Sequence, residues 1–193
     1  YEHIIIDNAS TDNTIKILQE ICLKDEKIKV IVNSKNYGHI RSPFYGILQS
    51  TGDACILMAS DFQDPVDMIP IYVKKWQEGS KIVLGKKTSS DENNITFSIR
   101  KIFYKFLNKI SEMKITENTT GAGIFDKSVI ERLRNINDPY PYLRGLLNEI
   151  GENITTVNFN QPKRLFGKTK NNFFTLYDIG MLGVVKHSRM PLR

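Results

Sequence analysis

The chain has 193 residues, 40% of them hydrophobic and 25% charged, with a formal net charge of +6. It is long enough to bury one substantial core, and no run approaches the roughly twenty apolar residues of a membrane-spanning helix. Two cysteines and three histidines, in no ligand spacing, argue against a disulfide framework, a zinc site and a histidine base. Cys22 and Cys55 read as reduced, small core residues. No repeat, low-complexity tract or signal-peptide pattern is visible, so residues 1–193 read as one soluble folded domain.

Residues 1–7 read as a strand, with Ile4-Ile5-Ile6 running into Asp7. Ser10, Thr11 and Asp12 can each cap the helix that follows, which carries Ile15, Leu18, Ile21 and Cys22 on one face. Residues 28–32 form the next strand pattern, and Asn36-Tyr37-Gly38 a polar turn. A helix through Phe44, Ile47 and Leu48 then stops near Gly52. The apolar run Ala54-Cys55-Ile56-Leu57-Met58 breaks at Asp61, followed by Gln63 and Asp64-Pro65. Residues 81–85 read as a strand and 86–94, polar and charged, as a flexible connection. Ile99, Ile102, Phe103, Phe106, Leu107 and Ile110 make a helical apolar stripe among Arg100, Lys101, Lys105 and Lys109. Strands alternating with helices predict an α/β fold, a mostly parallel sheet flanked by helices. Strands ending in Asp7 and Asp61 should then present both carboxylates at one sheet edge, where ligands collect in such folds.

Asp61 and Gln63 are oxygen ligands two residues apart, just past a strand. Hard cations such as Mg²⁺ or Mn²⁺ take such oxygens and leave other positions to phosphate and water. The same residues also read as a plain turn ending a core strand. Lys163, Arg164, Lys168 and Lys170 surround Gly167, a pattern suited to closing over phosphate oxygens or to a solvated turn. The basic helix at 99–110 can cover the sheet or lie on an anionic membrane surface. Nucleic acid fits less well, because no aromatic-interleaved basic motif accompanies the charge.

Several segments share an order and a spacing. They are Ile6-Asp7-Asn8-Ala9-Ser10-Thr11-Asp12-Asn13-Thr14, Asn36-Tyr37-Gly38, Ser60-Asp61-Phe62-Gln63-Asp64-Pro65 and Thr120-Gly121-Ala122-Gly123-Ile124-Phe125-Asp126-Lys127. Pro141-Tyr142-Leu143-Arg144-Gly145, Arg164-Leu165-Phe166-Gly167-Lys168-Thr169-Lys170 and Pro191-Leu192-Arg193 continue the series. Together they resemble the inverting family 2 glycosyltransferases, and most closely the dolichyl- and polyprenyl-phosphate branch.

The resemblance implies a GT-A-type nucleotide-diphospho-sugar transferase fold. It also implies an N-terminal truncation that removes the first strand, and transmembrane segments following the Pro-Leu-Arg ending in the full-length protein. The implied reaction moves a sugar with inversion from a UDP- or GDP-sugar to polyprenyl phosphate, aided by Mg²⁺ or Mn²⁺, at the cytoplasmic face of an anionic membrane. Cell-envelope polysaccharide synthesis is the implied setting. By motif position, Asp61, Arg164 and Lys168 are catalytic, and Asp61 and Gln63 hold metal. Asp7, Asn8, Ser10, Asn36, Gly38 and Ser60 bind nucleotide, although Asp7 also reads as a helix-capping carboxylate. Arg100, Lys101, Arg144 and Lys170 bind acceptor or phosphate. A lipid phosphate is already an anionic nucleophile, so no general base is implied.

Two positions depart from the family pattern. Ala59 stands where an Asp is usual, and Asn8 where a second Asp is usual. These departures keep two other readings open. One is a transferase acting on a saccharide hydroxyl, with Asp126 as base; the other is a catalytically impaired nucleotide-sugar-binding module. The sequence carries no signal for oligomeric state, sugar or base.

Overall fold

A computed structural model describes residues 1–90, 119–162 and 173–187. In chain order the elements are β1 (His3–Asp7), α1 (Thr14–Cys22), β2 (Ile28–Val32), α2 (Gly38–Leu48), β3 (Ala54–Leu57) and α3 (Met68–Gln77). There follow β4 (Ile82–Ser90), β5 (Thr119–Asp126), α4 (Lys127–Arg134), α5 (Leu143–Glu149), β6 (Ile154–Gln161) and α6 (Phe173–His187). The described residues fall into two compact units, Tyr1–Cys55 with Phe125–Pro141, and Ile56–Ile124 with Tyr142–Arg193. The α/β alternation expected from the sequence is present, but β1 pairs with β2 in a sheet of two, separate from β3.

In the first unit β1 and β2 run parallel, in register from His3↔Ile28 to Asp7↔Val32. The two strands are apolar and β-branched, as a parallel ladder covered by helices requires. α1 packs on β2, and α2 on β1 and α4. Gly46 lets α2 approach β1: a Cβ there would lie 2.5 Å from Ile6 Cδ1. The end of α2 is held by Arg134, whose Nε donates to the Leu48 carbonyl at 3.0 Å and Nη2 to the Ser50 carbonyl at 2.5 Å. A cation there also complements the helix dipole. α1 begins differently from expectation. Its N-cap is Asn13, with no side-chain cap, and Asp12 instead accepts the Thr14 N–H at 3.0 Å.

The other sheet has four strands in the order β3-β5-β4-β6. Tyr72, Ile82, Val83, Leu84, Ile124 and Leu147 are buried at its core. Gly123 permits close strand contact, because a Cβ there would sit 2.0 Å from the Val83 carbonyl oxygen. The expectation of a flexible stretch from residue 86 is corrected for residues 86–90, which continue β4. There β4 pairs in parallel with β6, Lys86↔Asn158 and Lys87↔Phe159, with a register shift before Ser89↔Asn160. Thr88 Oγ1 adds bonds to the Phe159 carbonyl at 3.1 Å and to Asn160 Oδ1 at 2.7 Å. Ladder pairing outweighs polar composition at this strand. The expected helix at 99–110 lies outside the described residues. Among the described residues no helix is long and apolar enough to cross a membrane. Cys22 and Cys55 are free but half-buried rather than in the core, and burial pushes the Cys55 thiol up.

Candidate active site

In the first unit β1 delivers Asp7 into a buried position, 3% exposed. Its Oδ2 accepts the Ser10 N–H at 3.0 Å, so it braces the loop after β1 rather than capping α1. Ala9 turns that loop with φ 62°, left-handed backbone that costs a non-glycine residue about 1–2 kcal/mol. Asn8 ties this loop to the one before α2. Its Oδ1 accepts the Tyr37 N–H at 2.9 Å and Asn33 Nδ2 at 3.1 Å. Its Nδ2 donates to Asn36 Oδ1 at 2.8 Å and to the Gly38 carbonyl at 3.4 Å. Asn36 Oδ1 also accepts the Gly38 N–H at 2.8 Å, closing the start of α2. An aspartate at position 8 would have no N–H to donate. The asparagine that departs from the family pattern therefore has a local reason.

Five sequence-predicted nucleotide residues, Asp7, Asn8, Ser10, Asn36 and Gly38, are thus drawn into two linked loops. Asn33 was missed by sequence reasoning. It donates to buried Ser42 Oγ at 3.0 Å as well as to Asn8, and no local motif announces it. Beside these loops Arg41 lies over the rings of Tyr37 and Tyr140, at 5.3 and 5.2 Å from their centroids.

In the second unit β3 leads through Ser60, exposed, to Asp61 and Gln63, both half-buried. Asp61 Oδ1 accepts the Gln63 N–H at 3.1 Å, and Phe62 between them has φ 60° with its ring 53% exposed. The turn that sequence reasoning paired with a metal is therefore formed, and Ser60 lies at its start. Asp64 lies 8% exposed, and its Oδ2 accepts the Ala59 N–H at 3.4 Å. Among the described residues Asp64 Oδ1 is the buried side-chain oxygen without a hydrogen-bond partner. Burial foremost raises the Asp64 carboxyl above its ordinary range. The Ala59 N–H and Lys87 oppose that rise, and the Asp61 charge adds to it. Tyr72, buried beside Asp64, is pushed up to about 12 by burial and by that carboxylate.

Arg144 stands on α5, where its Nη2 donates to the Thr120 carbonyl at 3.3 Å. The Thr120 side chain in turn hydrogen-bonds the Asp64 carboxylate, which draws its pKa down. Asp61, Gln63, Asp64, Lys87, Thr120 and Arg144 thus form one neighbourhood, in which Asp64, Lys87 and Thr120 were not expected as site residues. Asp126 is the N-cap of α4, and its Oδ1 accepts Ser128 N–H at 2.9 Å and Oγ at 2.6 Å. Arg100, Lys101, Arg164, Lys168 and Lys170 lie outside the described residues. A polar cleft of about 300 Å³ lined by Glu78, Gly79, Lys81 and Glu152 opens at the start of β4 and β6. Ligands in open α/β sheets collect at the opposite strand ends.

Among the described residues no three His, Cys, Asp or Glu side chains gather as a metal cluster. Asp61 and Gln63 stand two residues apart in the turn after β3, and their carboxylate and amide oxygens are of the kind that a hard divalent cation takes, completed by phosphate and water.

The model for glycosyl transferase family 2 matches residues 1–134. Along all of its 193 residues the chain is 30% identical to a prophage bactoprenol glucosyl transferase homolog of Escherichia coli (strain K12), covering 63% of that protein. It is equally 30% identical to the bactoprenol glucosyl transferase of Shigella phage SfX, again covering 63%. Among solved structures it is similar to the mannosyltransferase PcManGT from Pyrobaculum calidifontis, in complex with GDP-Man and Mn²⁺. The TM-score is 0.50 at 14% identity, over 86% of this chain and 49% of the other. That likeness shows the fold, which is GT-A-like, as the sequence motifs implied.

Proposed function

The chain belongs to glycosyl transferase family 2, and from that membership we propose that it moves a sugar from a UDP- or GDP-sugar to polyprenyl phosphate, with inversion. The observation that carries this reading is the similarity, along the whole chain, to transferases named for bactoprenol, a polyprenol. We read residues 1–193 as one catalytic domain working at the cytoplasmic face of a membrane. The loops of Asp7, Asn8, Ser10, Asn36 and Gly38 hold the nucleoside through side-chain and backbone polar groups. Asp61 and Gln63 hold Mg²⁺ or Mn²⁺, which when bound supplies positive charge against the charge developing on the departing diphosphate. Arg164 and Lys168 add preorganised positive charge to the same phosphates, and Lys170, Arg100, Lys101 and Arg144 bind the acceptor phosphate. The acceptor is an anionic nucleophile, so Asp126 keeps its capping role and no residue need remove a proton.

Asp61→Asn tests this reading. Transfer to polyprenyl phosphate by the full-length protein should fall at least about 100-fold, as loss of a group stabilising developing charge typically does. The melting temperature should stay unchanged. Full activity in the variant would contradict the role given to Asp61.

A further inference from the structure

Lys29, Lys75 and Lys81 each meet a carboxylate, and Arg134 and Arg144 donate to backbone carbonyls. Lys35 and Arg41, both in the first unit, have neither kind of partner among the described residues, and aromatic rings hold them instead. Arg41, in the first turn of α2, lies over the rings of Tyr37 and Tyr140. Lys35 Nζ lies over the Tyr37 ring as well, 5.3 Å from its centroid. Both rings sit on anchored backbone. Tyr37 is the N-cap of α2, with its N–H on Asn8 Oδ1, and the Tyr140 N–H donates to Asp138 Oδ1 at 2.9 Å. Yet the Tyr140 residue is 56% exposed.

A cation over an exposed ring gains only about 0.5–1 kcal/mol. Two cations sharing one ring also repel each other, so stability is a weak reason for this cluster. Rings that cover a guanidinium face leave its edge N–H groups open, and a fork held that way loses little freedom on binding. A fork with an ammonium beside it matches the oxygens of a phosphate.

We propose that Lys35, Tyr37, Arg41 and Tyr140 form a phosphate-binding site, with Arg41 and Lys35 as donors and the rings holding them in place. None of the four belongs to the groups assigned above to the donor or the acceptor. The phosphates of a nucleotide and the headgroup of an anionic lipid share this chemistry.

The test is calorimetric titration of the full-length protein in EDTA, which silences any divalent metal. The probes are pyrophosphate, UDP and GDP against uridine and guanosine, and soluble dihexanoyl phosphatidylglycerol against the matching phosphatidylcholine. Wild type should bind pyrophosphate. Arg41→Gln should bind it at least about tenfold more weakly, the effect of losing a charge-assisted hydrogen bond. Lys35→Gln should weaken it too, and keeps the test open if Arg41→Gln folds poorly. Arg41→Lys, which keeps the charge without the fork, should recover only part of the affinity. A loss confined to UDP and GDP, with the nucleosides unaffected, makes the nucleotide the source. A loss confined to phosphatidylglycerol makes the lipid headgroup the source. If both Gln variants bind every probe like wild type, the proposal is overturned and the transferase reading stands. A lower melting temperature with binding retained would make the cluster a brace, and a wild type that binds no phosphate probe would be equally fatal.

Discussion

Asn8 shows how much a single side chain organises here. It makes four hydrogen bonds, two as acceptor and two as donor, reaching Asn33, Asn36, Tyr37 and Gly38. Asn8→Asp keeps the size and the acceptors but sets a carboxylate against Asn36 Oδ1 and the Gly38 carbonyl. Unfolding by urea at pH 7 should show a loss of about 1–3 kcal/mol, the usual result of leaving such groups unpaired. Nucleotide affinity should fall with it. An unchanged midpoint would mean that water replaces the lost donor without strain. None of this was legible in the sequence, because Asn33 and Asn8 are 25 residues apart and meet only through the β1–β2 ladder. Asp7 at the end of β1 was legible, since an apolar run broken by Asp is a local signal, whereas Asp61 stands four residues past the end of β3.

At the scale of elements, β1 is fastened at its start by Glu2. Its Oε2 accepts from Lys29 Nζ at 2.6 Å, and its Oε1 from Thr51 N–H at 2.6 Å and Oγ1 at 2.8 Å. The Lys29 bond foremost, then the Thr51 N–H, holds the Glu2 carboxyl at about 2 against an ordinary 4.5. A carboxylate depressed on folding stabilises above its unfolded pKa, and that stabilisation drains away as pH falls toward the folded value. Glu2→Gln should therefore cost about 1 kcal/mol at pH 7, allowing for solvent screening. The gap between variant and wild type should close between pH 4.5 and about 2. Equal stability at pH 7 would show the bridge to be ornamental. The polar end of β4 marks where sequence reading failed for a physical reason. Lys86, Lys87 and Thr88 look like loop residues alone, and become strand because β6 offers them a ladder.

At the scale of the molecule, two compact units each carry part of the expected machinery. One has the Asp7–Asn8–Asn36 loops and the other the Asp61–Asp64 turn with Arg144. Fold and family were legible because many weak motifs recur in order along the chain, and the family match over residues 1–134 bears this out. The net charge of +6 is in keeping with the phosphate-bearing substrates proposed above. Acceptor choice is the most direct measurement. The full-length protein would be given labelled UDP-glucose and GDP-mannose, with polyprenyl phosphate and free saccharides in parallel, as wild type and as Asp126→Asn. Label should pass from one donor to polyprenyl phosphate in the presence of Mn²⁺, at the same rate in both proteins. Transfer instead to a saccharide hydroxyl, abolished in Asp126→Asn, would contradict the lipid-phosphate function.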